Sequence, residues 1–305
     1  MAGLPPGVER DYPLARLTTI RTGGRAELFA RVGTVDRLQR LLTWAAAEGL
    51  EVGVVGSGSN LLIAAAGVRG LVVKLERDLS KIEHNGTRIH CGAGARLPAV
   101  SAAAARAGLT GIEFGVNIPG SVGGAVRMNA NAYGGDLARV LRWVDVVSVA
   151  GCERRGPEQL GFGYRHSNLG PQEIVTRACF GLAPASSQAV KATLARMRAD
   201  RKAAQPAGIK TFGSTFKNPA GPRAQGRTAG QLLDAAGCAG LRIGGAGFSS
   251  QHANFVENFG DATTADVVAV MAEGRRRVKE RFGVELEPEV QALGAVALPS
   301  EWKGR

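Results

Sequence analysis

The chain predicts an α+β fold of more than one domain, and three observations carry that expectation. Helical and strand patterns follow one another with no internal repeat and no low-complexity tract. The 305 residues exceed what one hydrophobic core holds comfortably and suit two or three compact domains. Two glycine-rich segments, at 54–62 and 111–135, interrupt the patterning at places where main chain rather than side chain has to meet something.

In chain order, Val35, Leu38, Leu41, Leu42 and Ala45 recur at helical spacing within 35–48 and Gly49 ends that helix. Residues 51–55 and 70–75 read as strands, which makes the first 75 residues a small α/β unit. A strand at 87–95, an alanine-rich helix at 97–108 and strands at 140–151 and 173–182 indicate a second, α+β unit over 76–188. The polar stretch 183–188 reads as a linker into a third region, 189–305, whose last strand and tail are expected to return to the first. That region carries a helix at 189–204 up to the Gln205-Pro206 break and a short amphipathic helix at 228–237. It continues with a strand at 252–258, a helix capped by Thr264 with Val267, Val268, Met271 and Val278 inward, and a strand at 284–293.

Composition removes several function classes. No apolar run reaches the roughly 18 residues that span a bilayer, and the N-terminus has neither a basic nor an apolar signal region, so a cytoplasmic location is expected. Cys91, Cys152, Cys179 and Cys238 form no CxxC pair and the four histidines are scattered, which predicts no metal site and no disulfide framework. Net charge is +12, yet basic residues are spread along the whole length, and aromatics, at 5%, are not interleaved with them as nucleic-acid stacking requires. The Arg275-Arg276-Arg277 cluster reads as the solvated face of a helix. A basic field also attracts small anions such as a nucleotide sugar or NADPH.

The two glycine segments point to chemistry. At Gly56-Ser57-Gly58-Ser59-Asn60 a β-branched strand breaks into a loop of amide donors and hydroxyls, the chemistry of a phosphate cradle, with a tight structural turn as the alternative. Although Glu76 lies where a ribose-binding acid would sit, Leu61 replaces the third glycine of a dinucleotide fingerprint and another strand follows, so that fingerprint is rejected. The run Gly115–Gly124 is too long for any turn type, and Asn129 and Asn131 add donors and acceptors beside it. Two backbone-lined segments suggest a large phosphorylated cofactor. Three polar residues stand out less: Arg165 between Tyr164 and His166, Ser214 between a glycine and aromatics, and Glu289 in Leu-Glu-Pro-Glu-Val. Each alone reads as a surface charge or a cap. No histidine has a motif partner and no GxSxG is present, so no nucleophilic triad is seen.

Taken in order, TIRTGG at 19–24, GSGSNLL at 56–62, IPGSVGGAVRMNANAYGG at 118–135, GYRHSNL at 163–169, FGSTFKNP at 212–219, AGQLLDAAG at 229–237, GLRIGGAGFSSQHANF at 240–255 and LEPEV at 286–290 resemble the UDP-N-acetylenolpyruvoylglucosamine reductase (MurB) family over nearly the whole chain. The resemblance implies a two-part FAD-binding fold of the vanillyl-alcohol-oxidase (PCMH) type followed by a C-terminal α+β substrate domain. It implies non-covalent FAD, its pyrophosphate on Gly56, Ser57, Gly58, Ser59 and Asn60 and its ring lined by Ile118, Pro119, Gly120, Ser121, Gly123 and Gly124. The implied reaction, part of peptidoglycan synthesis, passes a hydride from NADPH through flavin to C3 of UDP-N-acetylglucosamine enolpyruvate. Arg165 matches the family's carboxylate-binding cation, Ser214 the proton donor to C2 and Glu289 the activating glutamate, which must be protonated if it donates a hydrogen bond. Tyr164, Lys202 and Asn218, and less directly Lys217, fall where the family meets the nucleotide sugar.

Arg165 and Ser214 are too close in sequence for the family's inserted, tyrosine-bearing loop, so the shorter type is expected. Asn131 replaces a common glycine, and its tolerance of left-handed backbone is expected to preserve the loop. A monomer is expected, without nucleic-acid or membrane partners. The rivals are a flavin oxidase of the same superfamily, disfavoured because neither glycine segment offers a histidine for covalent attachment, and a nucleotide-sugar-binding protein without chemistry.

Overall fold

The computed structural model describes residues 3–204, 206, 208–299 and 302, and Gln205 of the expected helix break lies outside them. The chain forms two compact units: described residues of 1–10, 28–57 and 69–201 make the first, those of 11–27, 58–68 and 202–305 the second.

In the first unit, the Thr34 side chain accepts from the Arg37 N–H and caps helix Val35–Ala47, whose buried face is Leu38, Leu41, Leu42 and Ala45. Strand Val52–Val54 runs parallel to Leu71–Val73 before opening into the Gly/Ser loop. A five-stranded antiparallel sheet has the order Gly151–Arg155, Leu141–Ser148, Ile174–Gly181, Arg88–Gly92, Ile82–Asn85. Alternation sends Ile89, Cys91, Val144, Val146, Ala178 and Phe180 into one core with Val100 and Ala104 of helix Leu97–Arg106 and Val122 and Val126 of helix Val122–Arg127. The opposite face carries Trp143 with the Arg154 guanidinium 3.7 Å from its ring centroid.

The stretch 140–151, expected as one strand, instead turns at Val149-Ala150 and forms a hairpin with Gly151–Arg155. That second strand has no apolar alternation; Arg154 is held by Asp145 at 2.8 Å and Arg155 by Glu173 at 2.5 Å. Helix Ser187–Ala204 follows.

The second unit contains the antiparallel sheet Arg242–Ile243, Ala246–Phe248, Val256–Asn258, and helices Ala229–Ala235 and Thr264–Phe282. Its core joins Ile20, Leu62, Phe212, Phe216, Leu232, Phe248, Val267, Met271 and Leu286. The cap of the long helix is Thr263, not Thr264: Thr263 accepts from the Asp266 N–H, while Thr264 is the first helical residue and its buried hydroxyl donates to the Ile63 carbonyl at 2.8 Å. The expected strand 284–293 is regular only at Gln291–Leu293, which pairs in parallel with Leu61–Ile63.

The basic cluster of that helix is ion-paired with its own acids. Arg276 and then Arg277 hold the Glu273 carboxyl down to about 2 from its ordinary 4.5. A carboxylate with a depressed folded pKa adds stability that is complete above its unfolded value and is lost as pH falls toward its folded one. Glu273→Gln is therefore expected to lower the thermal midpoint at pH 7, with the difference shrinking as pH falls below the unfolded value and closing only once pH has passed below the folded one, as read by melting curves across that range. Among the described residues no helix is long and apolar enough to cross a membrane, and no group of three or more His, Cys, Asp or Glu could hold a metal ion.

Candidate active site

Within the first unit the two glycine segments meet. A Cβ on Gly56 would lie 2.2 Å from the Ser121 hydroxyl, so only glycine admits this approach. The Gly56 carbonyl is taken by the Lys74 ammonium at 2.8 Å, and burial lowers that lysine's pKa. Lys74 carried no signal in the sequence beyond its place on a strand. In the second run, the N–H groups of Val122 and Gly123 donate to the carbonyls of Ala95 and Ala93, both at 2.8 Å, and the Gly120 carbonyl accepts from the Leu97 N–H at 3.0 Å. Those bonds lock the segment onto the turn before helix Leu97–Arg106. Ile118 is half-buried, Pro119 exposed, and Gly124 exposed, with the Ser121 hydroxyl, 3.5 Å away, alone within 4 Å of the position of a Cβ.

The expected left-handed role of Asn131 does not occur. Asn131-Ala132 is extended and pairs with Gly135-Asp136 across a two-residue turn, where Tyr133 (φ 51°) and Gly134 (φ 77°) carry the positive angles, as a hairpin turn of right-handed twist demands. Asn129 is the asparagine in left-handed backbone, at φ 39°.

Arg165 sits at a second tight turn. Gly163 and His166 exchange backbone hydrogen bonds at 3.1 and 3.3 Å, leaving Tyr164 and Arg165 at the tip. Arg165 is left-handed, at φ 53°, a conformation costing a side-chain-bearing residue roughly 1–2 kcal/mol. The loop's far side is fixed by Arg127, which donates to the carbonyls of Leu169, Gly170 and Glu173 at 3.1, 3.0 and 2.8 Å. Tyr164 is 49% exposed, with the Arg165 guanidinium 5.3 Å from its ring centroid.

Within the second unit Ser214 and Glu289 are brought together through the main chain. The Thr215 N–H donates to the Asn254 carbonyl at 2.8 Å, and the Asn254 side chain both accepts from and donates to Phe216 at 2.9 Å. On the other side the Glu289 N–H donates to the Thr215 carbonyl at 2.8 Å. Asn60 of the Gly/Ser loop reaches the same point: its amide donates to the Glu289 carbonyl at 3.2 Å, and its carbonyl accepts from the Gln291 N–H at 3.0 Å. Gly58 has a separate reason to be glycine, since at φ 64° its Cβ would lie 1.9 Å from the Leu17 carbonyl oxygen. Ser57, Ser59 and Ser214 are half-buried and Lys202 is exposed. Lys217 is ion-paired with Glu287, and the Asn218 side-chain oxygen accepts from the Ala229 N–H at 3.0 Å at the start of a helix.

This arrangement has counterparts among known proteins. The profile of the UDP-N-acetylenolpyruvoylglucosamine reductase C-terminal domain matches residues 205–293, and that of an FAD binding domain matches residues 26–155. A UDP-N-acetylenolpyruvoylglucosamine reductase of Sphingopyxis alaskensis is 44% identical over 285 residues, covering 92% of this chain and 93% of the relative. Reductase 2 of Symbiobacterium thermophilum is 41% identical over 292 residues, covering 95% and 93%. The crystal structure of MurB from Thermus caldophilus superposes with a TM-score of 0.81 at 37% identity, covering 94% of this chain and 98% of that one. The α+β class and the two-part FAD-binding fold with a C-terminal domain agree with these matches. Identity of this level over nine-tenths of both partners means that the chain belongs to the UDP-N-acetylenolpyruvoylglucosamine reductase family.

Proposed function

We propose that the protein reduces UDP-N-acetylglucosamine enolpyruvate to UDP-N-acetylmuramate with NADPH, through non-covalent FAD, as a cytoplasmic monomer supplying peptidoglycan precursors. The observation that carries this reading is the full-length likeness to reductases of that name, and Arg165, Ser214 and Glu289 stand where the motifs of this sequence set the family's cation, proton donor and glutamate. The matches at 26–155 and 205–293 support an FAD role early in the chain and a separate C-terminal domain; on this reading 1–75 and 76–188 serve FAD and 189–305 the sugar.

The residues present fit the cofactor. Gly56 packs bare backbone against Ser121, and at Gly124 the Ser121 hydroxyl, 3.5 Å away, is alone within 4 Å of the position of a Cβ, so a flat ring or a diphosphate can approach the main chain there closely. Gly56, Ser57, Gly58, Ser59 and Asn60 would hold the pyrophosphate, and Ile118 to Ser121 with Gly123 and Gly124 would line the ring. Held there, FAD would supply the two-electron transfer between NADPH and the sugar. Arg165 binds the enolpyruvyl carboxylate and stabilises the negative charge that builds there as C3 is reduced, because a guanidinium fork matches both oxygens. The Ser214 hydroxyl then delivers a proton to C2, and Glu289 supports the charged intermediate beside it. Tyr164, Lys202 and Asn218 contact the nucleotide sugar, Asn218 standing at the start of helix Ala229–Ala235, from whose first N–H its side-chain oxygen accepts.

An anaerobic spectral titration tests the whole reading. The yellow protein should bleach with NADPH and regain its colour with the enolpyruvyl sugar; colour returning only with oxygen would indicate the oxidase, and a protein that takes up no FAD would be the binding protein. Lys74 adds a positive charge beside the cradle, so Lys74→Met is expected to weaken FAD retention by about tenfold, the worth of one charge-assisted contact, as measured by equilibrium dialysis of the flavin.

A further inference from the structure

The turn that presents Arg165 has an anchor elsewhere in the first unit, in the glycine-rich segment. Asn129 is buried, at 8% exposure, and its backbone is left-handed. Its side-chain oxygen accepts from the Ala138 N–H at 3.2 Å, which fixes which way the carboxamide faces. Its amide then donates to the Gly163 carbonyl at 3.1 Å. That carbonyl also accepts from the His166 N–H and so forms the base of the turn. The neighbouring Ser167 hydroxyl donates to the Arg127 carbonyl at 2.8 Å, two residues before Asn129. The Arg165 turn is therefore tied to the later part of the glycine-rich segment, beyond Gly124, through Asn129 and Ser167, and the Asn129 bond meets it directly at its base.

We propose that Asn129 is a positioning residue for the sugar half-reaction: its carboxamide sets where the Gly163–His166 turn sits and hence where Arg165 meets the substrate carboxylate. The proposal rests on the role given to Arg165 above. A buried two-sided amide suits this task, since both its ends are satisfied by backbone and neither can rotate without losing a bond. A shift of the guanidinium by even about 1 Å costs rate on the order of a hundredfold.

The test uses FAD-loaded enzyme in stopped flow, following bleaching by NADPH and colour return with the enolpyruvyl sugar separately, together with calorimetric affinity for UDP-N-acetylmuramate, which carries the carboxylate. Asn129→Asp keeps the acceptor for Ala138 and loses the donor to Gly163. Asn129→Gly suits the left-handed backbone and loses both. Both variants are expected to bleach within about twofold of the parent rate, to regain colour at least about tenfold more slowly, and to bind the product several-fold less tightly. The proposal is overturned if colour return stays within about twofold while Arg165→Met slows it by about a hundredfold, or if both half-reactions slow by one factor, the mark of a merely structural residue. Should Arg165→Met itself regain colour at the parent rate, the role of Arg165 falls, and the proposal with it. The Arg165 variant alone separates that failure from the first.

Discussion

Ser214→Ala enzyme loaded with FAD is expected to bleach with NADPH at the parent rate and to regain colour with the enolpyruvyl sugar about a thousandfold more slowly. A general acid contributes roughly 10²–10⁴ to such a step, and a serine hydroxyl, a weak acid in water, acts only by contact with a strongly basic carbon. The substitution isolates that proton because the segment does not depend on the hydroxyl for its place. Thr215 and Phe216 are held by Asn254, and Glu289 by the Thr215 carbonyl, all through atoms that alanine at 214 leaves untouched. Stopped-flow traces of the two half-reactions read the result directly. Undiminished colour return would assign the proton to another group.

Arg165→Met should produce the second large effect, slowing colour return by roughly 10²–10³, the worth of a fixed charge at a developing anion. It should also weaken UDP-N-acetylmuramate binding in calorimetry, because the same guanidinium meets the carboxylate in product and intermediate. Bleaching by NADPH should not change. The left-handed backbone at 165 is equally unfavourable for methionine, so the comparison at constant φ is a comparison of side chains. Equal slowing of both half-reactions would point to damage of the fold.

Much of this was legible in the sequence because local rules were obeyed. Leu38, Leu41, Leu42 and Ala45 marked their helix by period, and Gly56 marked a backbone approach that no side chain would allow. Regions where charge replaced apolar alternation were hidden: Gly151–Arg155 is an edge strand stabilised by Asp145, across its own hairpin, and by Glu173, neither of them part of the strand's own pattern. Left-handed backbone, expected at Asn131, falls at a different asparagine, since a two-residue hairpin moves the positive angles to Tyr133 and Gly134 and a helix end places another at Asn129. Lys74 on Gly56, Asn129 on Gly163 and Asn60 on Glu289 were invisible for one shared reason: each joins residues whose proximity only the fold creates. Asn60 was expected among cofactor-loop residues, and its side-chain amide donates to the Glu289 carbonyl, two residues before strand Gln291–Leu293.

The parallel pairing of Leu61–Ile63 with Gln291–Leu293 has a consequence for how the protein is made. A ribosome releases its chain from the N-terminus at about 5–20 residues per second, so Leu62 leaves the tunnel long before its partner Ala292 has been polymerised. Ile20 and Leu62 must therefore wait, apolar and without their final neighbours Phe216, Phe248 and Met271, while the first unit acquires all its residues by Arg201. Newborn chains stalled before residue 291 should accordingly bind a holdase chaperone, and release from it should follow completion of the final strand.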